Sequence, residues 1–370
     1  MRVGWILDGD LDQLSGGYLY DRIVVDHLRR SGDRVETLSL PTGSYARRLA
    51  GGLRRDLVRR LAAEAFDVLV QDELSHPALV GINRRLARVR PGLRRVGLVF
   101  HLRSSEPRAR AANLVYRIVE RAYLTTPEAF VFGSAATRRA VLAVLNASAR
   151  AAILSGARPS IVAVPGADRL PSSISAEAIR RRAFEPGPLR ILFAGNLIPR
   201  KGLPTLVRAV ASLPPGTARL TIAGSPAFDP PYARRALASI GASGLDSVVR
   251  YLGPLVGSEL SPVMANHHVL AVPSSYEGYG MAYLEGMGYG LPAIAAEAGG
   301  AGEFVRHGEN GFLMRFGDAA ALAEVLARLH NDRAWLADLA RSALETHRAH
   351  PTWAQTGDAV RRFLAGLVAV

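Results

Sequence analysis

The chain has 370 residues and a net charge of +14, with 46 basic and 32 acidic side chains. This length predicts about two domains, and 49% hydrophobic residues are enough to build their cores. Because the chain has no cysteine, disulfides, thiolate metal sites and a cysteine nucleophile are excluded, and a reducing cytoplasm is the expected compartment. The first apolar run is too short for a secretory signal and no run approaches the length of a membrane span, so we expect a cytoplasmic protein, or one peripheral at the inner face of a membrane.

Positive charge is concentrated in the first half of the chain. Residues 1–165 carry 26 basic and 15 acidic side chains, whereas residues 166–370 carry 20 and 17. Such a field attracts anions, although a general bias towards arginine would produce the same charge without any partner. The stretch Ala46 to Ala62 places four leucines (49, 53, 57 and 61) on one face of a predicted helix, which favours docking to an anionic membrane surface. No aromatic residue lies within this stretch, so we expect no nucleic acid partner.

Short apolar runs alternate with helical stretches through the first half. Each run predicts a buried parallel strand that is followed by a crossover helix. These strands are expected at residues 3–7, 35–38, 68–70, 96–100, 130–132 and 161–164.

Prolines and serines interrupt this alternation at residues 165–188, which we interpret as a connection between domains. The alternation then restarts, which predicts two doubly wound α/β domains in tandem. The tail, residues 351–370, has a helical pattern and is long enough to fold back across the first domain. The strands of the second half are expected at residues 190–194, 219–223, 248–252, 269–272 and 293–295.

Ligands of such sheets bind at the carboxyl ends of the strands, so the loops that follow strands should carry the chemistry. The loop GNLIPRKG, Gly195 to Gly202, follows a predicted strand and contains the only lysine of the chain, Lys201, beside Arg200. A helix N-terminus with two adjacent cations favours a multiply charged anion such as a diphosphate. Arginine supplies a planar fork and lysine a compact charge, so the two can act together on phosphates.

A second loop, VPSSYEGYGMAYLEGMGYG, follows the predicted strand at residues 269–272. A helix that starts near Met281 would direct the N–H groups of Gly280 and Met281 at a ligand. Glu277 and Glu285 flank this helix start, with seven residues between them. Ionised carboxylates accept hydrogen bonds from vicinal hydroxyls, which sugars and ribose supply.

These motifs resemble those of one enzyme family. The run from Val272 through SSYEGYGMAYLEGMGYGLPAIAAEAGGAGEFVRHGENGFL resembles the donor-site signature of retaining GT-B glycosyltransferases, glycosyltransferase family 4 (glycosyl transferases group 1). In that signature a Glu-x7-Glu motif lies between a Pro-Ser loop and a helix, and GNLIPRKG resembles the family's basic diphosphate-binding turn. VPGADRL, Val164 to Leu170, resembles the Val-Pro-Asn-Gly-Val-Asp element at the domain junction, with Gly166 and Ala167 in place of Asn-Gly. The resemblance is most specific over residues 190–315 and weaker before residue 165.

The resemblance implies a GT-B fold, in which two Rossmann-like domains stand in tandem and face a central cleft. Residues 1–165 would form the acceptor-side domain and residues 166–350 the nucleotide-sugar donor domain. Residues 351–370 would cross back to the first domain as a helical tail.

The resemblance also implies roles for individual residues. Arg200 and Lys201 would bind the donor diphosphate and stabilise the charge that develops as it leaves. Glu277 would contact the transferred sugar and Glu285 the nucleotide ribose, while His101, in VFHLRSSE, would face the reacting sugar and the acceptor. The other expected donor-binding positions are Gly16, Gly17, Gly195, Gly224, Leu252, Gly280 and Met281.

The implied reaction transfers a hexose, with retention, from a UDP- or GDP-linked sugar to a hydroxyl of a glycan, lipid or small molecule. It would need neither a cofactor nor a metal. An Asp-x-Asp pair within Asp8 to Asp12 would instead suit a metal-dependent GT-A enzyme, but it follows the first strand, where that motif is not expected. A dinucleotide-dependent oxidoreductase is disfavoured because Gly-x-Gly-x-x-Gly does not follow that strand. The remaining alternative is a non-catalytic basic protein that binds anionic lipid or nucleic acid.

Overall fold

The computed structural model describes residues 1–13, 15–172 and 174–369. The chain forms two compact units: unit 1 is Met1–Gly166 with Pro351–Val370, and unit 2 is Ala167–His350. Three positions of the predicted elements lie outside the described residues. They are Leu14 in the loop after the first strand, Ser173 in the predicted connection and Val370 at the end of the tail.

Unit 1 contains a six-stranded parallel sheet in the order β2-β1-β3-β4-β5-β6. Its centre is fully buried, with Trp5, Leu69 and Phe130 all inaccessible to solvent. Strands buried on both faces are apolar throughout, which explains the short continuous runs of the sequence. The strands are β1 (Arg2–Asp8), β2 (Arg34–Leu40), β3 (Val68–Asp72), β4 (Arg94–Val99), β5 (Ala129–Phe132) and β6 (Ser160–Val162).

Seven helices of unit 1 lie between or after these strands. Helix α1 follows β1, α4 follows β3 and α5 follows β4, as expected for parallel strands that need crossover connections. The seven are α1 (Gly16–Arg30), α2 (Tyr45–Gly51), α3 (Arg55–Ala63), α4 (His76–Val89), α5 (Arg110–Leu124), α6 (Ala135–Val144) and α7 (Ala147–Leu154).

Unit 2 contains a second six-stranded parallel sheet, in the order β12-β11-β10-β7-β8-β9. The predicted tandem of two doubly wound α/β domains is therefore confirmed. The strands are β7 (Leu189–Ala194), β8 (Ala218–Ala223), β9 (Val249–Tyr251), β10 (Val269–Ala271), β11 (Ala293–Ala296) and β12 (Gly311–Met314). The helices are α8 (Ala176–Ala183), α9 (Leu203–Ala211), α10 (Pro230–Ala242), α11 (Leu260–Ala265), α12 (Met281–Gly288), α13 (Ala319–Asn331) and α14 (Arg333–Ala349).

The last helix, α15 (Trp353–Val368), belongs to unit 1. The Trp353 ring packs edge-on against Tyr20, with centroids 5.5 Å apart. The Thr356 hydroxyl donates a hydrogen bond to the Val164 carbonyl at 2.8 Å, and Arg361 pairs with Asp33 at 2.7 Å. Together these contacts fix α15 against the rest of unit 1. Among the described residues, no helix is long and apolar enough to cross a membrane.

Two elements of unit 2 were not predicted. Strand β12 lies at the edge of the sheet, where it pairs with β11. It has only four residues and begins with Gly311, a residue that disfavours strands, so its sequence gives little periodic signal. Helix α8 lies inside the segment that we interpreted as a connection, and Ile179 packs there against Ala340 and Leu344 of α14. The segment 165–188 is therefore partly a structural element of unit 2.

The predicted amphipathic helix over Ala46 to Ala62 was wrong. The structure has two helices, α2 and α3, because the chain leaves helical geometry after Gly52. The backbone of Gly52 lies close to Gly81 of α4, where a Cβ would be 2.4 Å from the Gly52 carbonyl oxygen. The leucines consequently separate, since Leu57 and Leu61 are buried in the core whereas Leu53 is 70% exposed.

His267 and His268, immediately before β10, are both buried. His268 Nδ1 accepts a hydrogen bond from the Arg190 N–H at 2.9 Å, and its Nε2 donates to the Arg182 carbonyl at 3.0 Å. Burial, with the nearby arginines, lowers the pKa of His268 to about 3. The neutral ring thus ties β7 to the start of β10.

Candidate functional site

The carboxyl ends of β7 and β10 lie side by side, because these strands are neighbours in the sheet of unit 2. The strand order reverses here, since the chain builds β8 on one side of β7 and later β10 on the other. Open α/β sheets bind ligands at such a reversal. The loop 195–202 follows β7 and the loop 272–280 follows β10, so the two motifs that stood out in the sequence meet at this point.

Gly202 allows these two loops to touch. Its φ angle is +69°, and a Cβ at this position would lie 2.1 Å from the carbonyl oxygen of Pro273. Next to it, the N–H of Ser275 donates a hydrogen bond to the Arg200 carbonyl at 2.8 Å. Only glycine fits both the left-handed backbone and the close approach.

Arg200 and Lys201 converge on Glu277. Lys201 Nζ lies 2.7 Å from Glu277 Oε1, and Arg200 donates to Glu277 Oε2 at 3.1 Å and to the Tyr276 carbonyl at 2.6 Å. The Ser274 hydroxyl donates a further hydrogen bond to Glu277 Oε1 at 2.5 Å. Glu277 is only 6% exposed, so this is a partly desolvated cluster of two cations and one carboxylate.

The cluster is electrostatically consistent with an ionised carboxylate. Burial alone would raise the pKa of Glu277, but Lys201 and Arg200 together lower it to about 2. For Lys201 the balance is opposite: burial and Arg200 lower its pKa, and Glu277 acts against them. At neutral pH the charges of the two cations exceed that of Glu277, which leaves the cluster positive and suited to an anion.

The start of α12 adds hydrogen-bond donors to this region. Gly280 has a φ angle of +101° and precedes the first helical residue, Met281. Within the part of the chain that the structure describes, the N–H groups of Gly280 and Met281 donate to no protein acceptor. Unpaired N–H groups at a helix start carry partial positive charge and bind anions.

Glu285, inside α12, is held by a residue that the sequence did not single out. Arg169 Nε donates to Glu285 Oε1 at 2.5 Å, and both side chains are largely buried. Burial alone would lower the pKa of Arg169, but the hydrogen bond that it donates to Glu285, together with the charge of that carboxylate, raises it. Arg169 lies in the quoted element VPGADRL, which was the available signal for it; Ser274, in the serine pair before Glu277, is the other residue missed.

Three further predicted positions lie in a row at the carboxyl ends of adjacent strands. Gly195 follows β7, Gly224 follows β8 and Leu252 follows β9. A Cβ at Gly224 would lie 2.0 Å from the Gly195 carbonyl oxygen, and the Tyr251 hydroxyl donates to the Gly224 carbonyl at 2.9 Å. Glycine at position 224 is therefore required by the close approach of the Gly195 backbone.

The remaining predicted residues belong to unit 1. His101 follows β4, and its Nε2 lies 2.8 Å from Glu106 Oε1. Gly16 and Gly17 begin α1, and a Cβ at Gly17 would meet no atom of the described residues within 4 Å. Packing within unit 1 therefore does not require glycine at position 17, and the space beside it is open to a ligand.

The Asp-x-Asp run is committed to protein contacts. Asp8 pairs with Arg48 at 2.7 Å, Asp10 accepts the N–H of Asp12, and Asp12 lies 3.7 Å from Arg22. Across residues 1–13, 15–172 and 174–369, no group of three or more His, Cys, Asp and Glu side chains is arranged to hold a metal ion.

Comparison with known proteins agrees with this geometry. Residues 188–332 match the family model described as glycosyl transferases group 1. The D-inositol 3-phosphate glycosyltransferase of Stackebrandtia nassauensis is 37% identical over 189 residues, 49% of this chain and 42% of that protein. The enzyme of the same name from Nocardia farcinica is 33% identical over 204 residues, 53% of this chain and 45% of that protein. The matched region spans less than half the length of these curated relatives.

Solved structures resemble the chain over its whole length. Sucrose-phosphate synthase from Thermosynechococcus elongatus superimposes with a TM-score of 0.80 at 20% identity, covering 100% of this chain and 99% of that one. HepE from Anabaena, solved in complex with UDP and glucose, gives a TM-score of 0.75 at 20% identity, covering 99% and 100%. The fold is therefore GT-B. Residues 188–332, which lie within unit 2, carry the domain of the glycosyl transferases group 1.

Proposed function

We propose that this protein is a retaining glycosyltransferase that moves a hexose from a UDP- or GDP-linked sugar to a hydroxyl acceptor. The observation that carries the proposal is the convergence of Arg200 and Lys201 on Glu277 at the strand-order reversal of unit 2. Two cations, a carboxylate and unpaired helix N–H groups are the donors and acceptors that a diphosphate sugar needs. The family match of residues 188–332 supports the same assignment.

The leaving diphosphate would bind the side chains of Lys201 and Arg200. Lys201 and Arg200 would place positive charge where negative charge grows as the glycosidic bond breaks, and a preorganised site supplies this without solvent reorganisation. The N–H groups of Gly280 and Met281 would contact the same phosphates. Because these groups neutralise the diphosphate, we expect transfer to need no metal and to survive a chelator.

Glu277 would act as a hydrogen-bond acceptor for hydroxyls of the transferred sugar. Its low pKa keeps it ionised, and an ionised carboxylate can only accept hydrogen bonds. Glu285 would accept from the ribose hydroxyls, with Arg169 fixing its orientation. Positioning of donor and acceptor on one face of the sugar would then give retention, as the family resemblance implies.

The acceptor is proposed more broadly, as a hydroxyl of a glycan, a lipid or a small molecule. The curated relatives are named for a phosphorylated inositol, so phosphorylated polyols belong in any acceptor screen. His101, whose Nε2 lies 2.8 Å from Glu106 Oε1, is the residue of unit 1 that we propose to act on the acceptor.

Calorimetric titration with UDP-, GDP- and ADP-sugars tests the proposal. We expect one nucleotide sugar to bind the wild type, and its binding to be lost in Lys201→Ala but kept in Arg234→Ala, an exposed arginine of α10. Transfer to water or to an added acceptor should then occur in the presence of EDTA. If no nucleotide sugar binds, or if both variants bind like the wild type, the proposed function is wrong.

Association with an anionic membrane surface is a second proposal, and α5 favours it. Leu114 and Ile118 are 60% and 59% exposed, and Val115 lies between them on the same face. Arg110, Arg117 and Arg121 lie on the same helix, so an apolar ridge is flanked by positive charge, which suits interfacial binding. This ridge, rather than the stretch at residues 46–62, would contact the lipid.

Vesicle sedimentation tests whether α5 or the stretch at residues 46–62 contacts the lipid. We expect salt-sensitive binding to vesicles that contain phosphatidylglycerol, weaker binding to pure phosphatidylcholine, and loss of binding in the double variant Leu114→Gln, Ile118→Gln. Leu53→Gln serves as the matched control, since Leu53 is exposed on the segment first expected to dock. Vesicle binding without any donor binding would favour the non-catalytic alternative.

A further inference from the structure

Unit 1 contains a pocket of about 180 Å³ that the proposed donor site does not include. It opens where β1 and β2 end, with Asp8 and Leu40 at its edge, and it is closed on the other side by α2, α3 and α4. A cavity of about 150 Å³ is large enough to hold a benzene ring. The pocket is therefore the size of a single ring.

The two sides of the pocket differ in chemistry. Leu40, Leu57 and Ile82 form an apolar floor, and all three are buried. Arg47, Arg48 and Arg54 supply three guanidinium groups around it. An apolar floor beneath a cationic rim suits a molecule with an apolar body and an anionic head.

Two of the three arginines already form ion pairs with carboxylates. Arg48 pairs with Asp8 at 2.7 Å, and Arg54 pairs with Asp56 at 2.5 Å. Within the described part of the chain, the Arg47 guanidinium makes no ion pair or hydrogen bond. Asp8 is the one carboxylate that lines the pocket, and its ion pair with Arg48 compensates its negative charge.

A buried hydroxyl in the pocket also lacks a partner. Ser75 lines the cavity and is only 2% exposed, and its Oγ forms no hydrogen bond with the described residues. An unsatisfied buried hydroxyl costs stability, and a ligand or an ordered water that accepts a hydrogen bond from it removes this cost. A phosphate offers several acceptor oxygens, enough for Ser75 and for the fork of an arginine.

We infer that this pocket binds a phosphate monoester whose organic part is an apolar group of about one ring. The ring lies on Leu40, Leu57 and Ile82, and the phosphate is bound by Arg47 and the Ser75 hydroxyl. The inference rests on unit 1 alone and does not depend on the proposed donor site.

Phenyl phosphate is the probe that tests this pocket, by calorimetry on the full chain at low salt. Inorganic phosphate lacks the ring and benzyl alcohol lacks the charge, so both should bind more weakly than phenyl phosphate. We expect Arg47→Gln to reduce affinity for phenyl phosphate about tenfold, because a charge-assisted pair is lost. Arg139→Gln, an exposed arginine of α6, is the matched control and should leave affinity unchanged.

Ser75→Ala distinguishes ligand binding from a structural role. Removal of an unpaired buried hydroxyl should leave the resistance to urea equal to or above that of the wild type, while affinity for phenyl phosphate falls. If affinity is the same in Arg47→Gln and Ser75→Ala as in the wild type, or if phenyl phosphate binds no better than inorganic phosphate, the inference is wrong.

Vesicles that contain phosphatidic acid identify the source of the phosphate. If they compete with phenyl phosphate for the wild type, and phosphatidylcholine vesicles do not, the pocket takes a lipid phosphate. If neither competes while phenyl phosphate binds through Arg47, the ligand is a soluble ester. Nucleotide-sugar binding should be unchanged in Arg47→Gln. This control distinguishes a failure of the pocket inference from a failure of the proposed glycosyltransferase function.

Discussion

Lys201 Nζ and Glu277 Oε1 lie 2.7 Å apart although 76 positions separate the residues in the sequence. The contact exists because β7 and β10 are adjacent parallel strands, and each residue stands in the loop after one of them. The only lysine of the chain is thus placed against a buried carboxylate at the point where the strand order reverses.

The choice of lysine at position 201 can be tested by turnover. Lys201→Gln should lower kcat by about 100-fold, because a donor that stabilises the departing charge is lost. Lys201→Arg should recover only part of this loss, since the guanidinium is larger and Arg200 already occupies the other side of Glu277. Steady-state kinetics with the identified donor measure both. Equal turnover in the Arg variant and the wild type would show that charge alone is needed here.

The state of Glu277 predicts a pH dependence of stability. Its folded pKa, about 2, is below the ordinary value of 4.5, so the ion pairs stabilise the fold fully above pH 4.5 and lose this effect as the pH falls towards 2. Glu277→Gln mimics the protonated side chain and leaves Lys201 and Arg200 without their counter-charge, which should cost about 3 kcal/mol at pH 7. The difference between the two proteins in urea unfolding should shrink between pH 4.5 and 2. A difference that is constant across this range would contradict the assignment.

Much of this site could be predicted from the sequence because its parts are local. The loops GNLIPRKG and VPSSYEG each follow an apolar strand, and parallel strands bring their carboxyl ends to one edge of the sheet. The pair of Arg169 and Glu285 could not be predicted, since 116 positions separate the two residues and no periodicity joins them. The break after Gly52 had a local signal, because the pair Gly51-Gly52 weakens a helix, but the close approach of Gly81 from α4 could not be predicted.

The backbone contact at Gly202 predicts a graded loss of stability. Gly202 and Gly216 both have positive φ angles, but only at Gly202 would a Cβ collide with another backbone, that of Pro273. Gly216→Ala should therefore cost roughly 1 to 2 kcal/mol, for the left-handed conformation alone. Gly202→Ala should cost more in urea unfolding and should also weaken donor binding, because it separates the two loops. Equal losses at both positions would show that the loops can move apart without consequence.

Glu277 and Glu285 should differ in the kinetic constant that they affect. A ribose contact is the same before and during the reaction, so Glu285→Gln should raise the donor KM about tenfold and leave kcat nearly unchanged. Glu277 contacts the sugar whose bond is breaking, so Glu277→Gln should lower kcat more than it raises KM. Arg169→Met should reproduce the Glu285 effect in weaker form, because it removes the ion pair that orients this carboxylate. Initial rates over a range of donor concentrations separate the two constants, and a fall of kcat alone in Glu285→Gln would place that residue at the reacting sugar instead of the ribose.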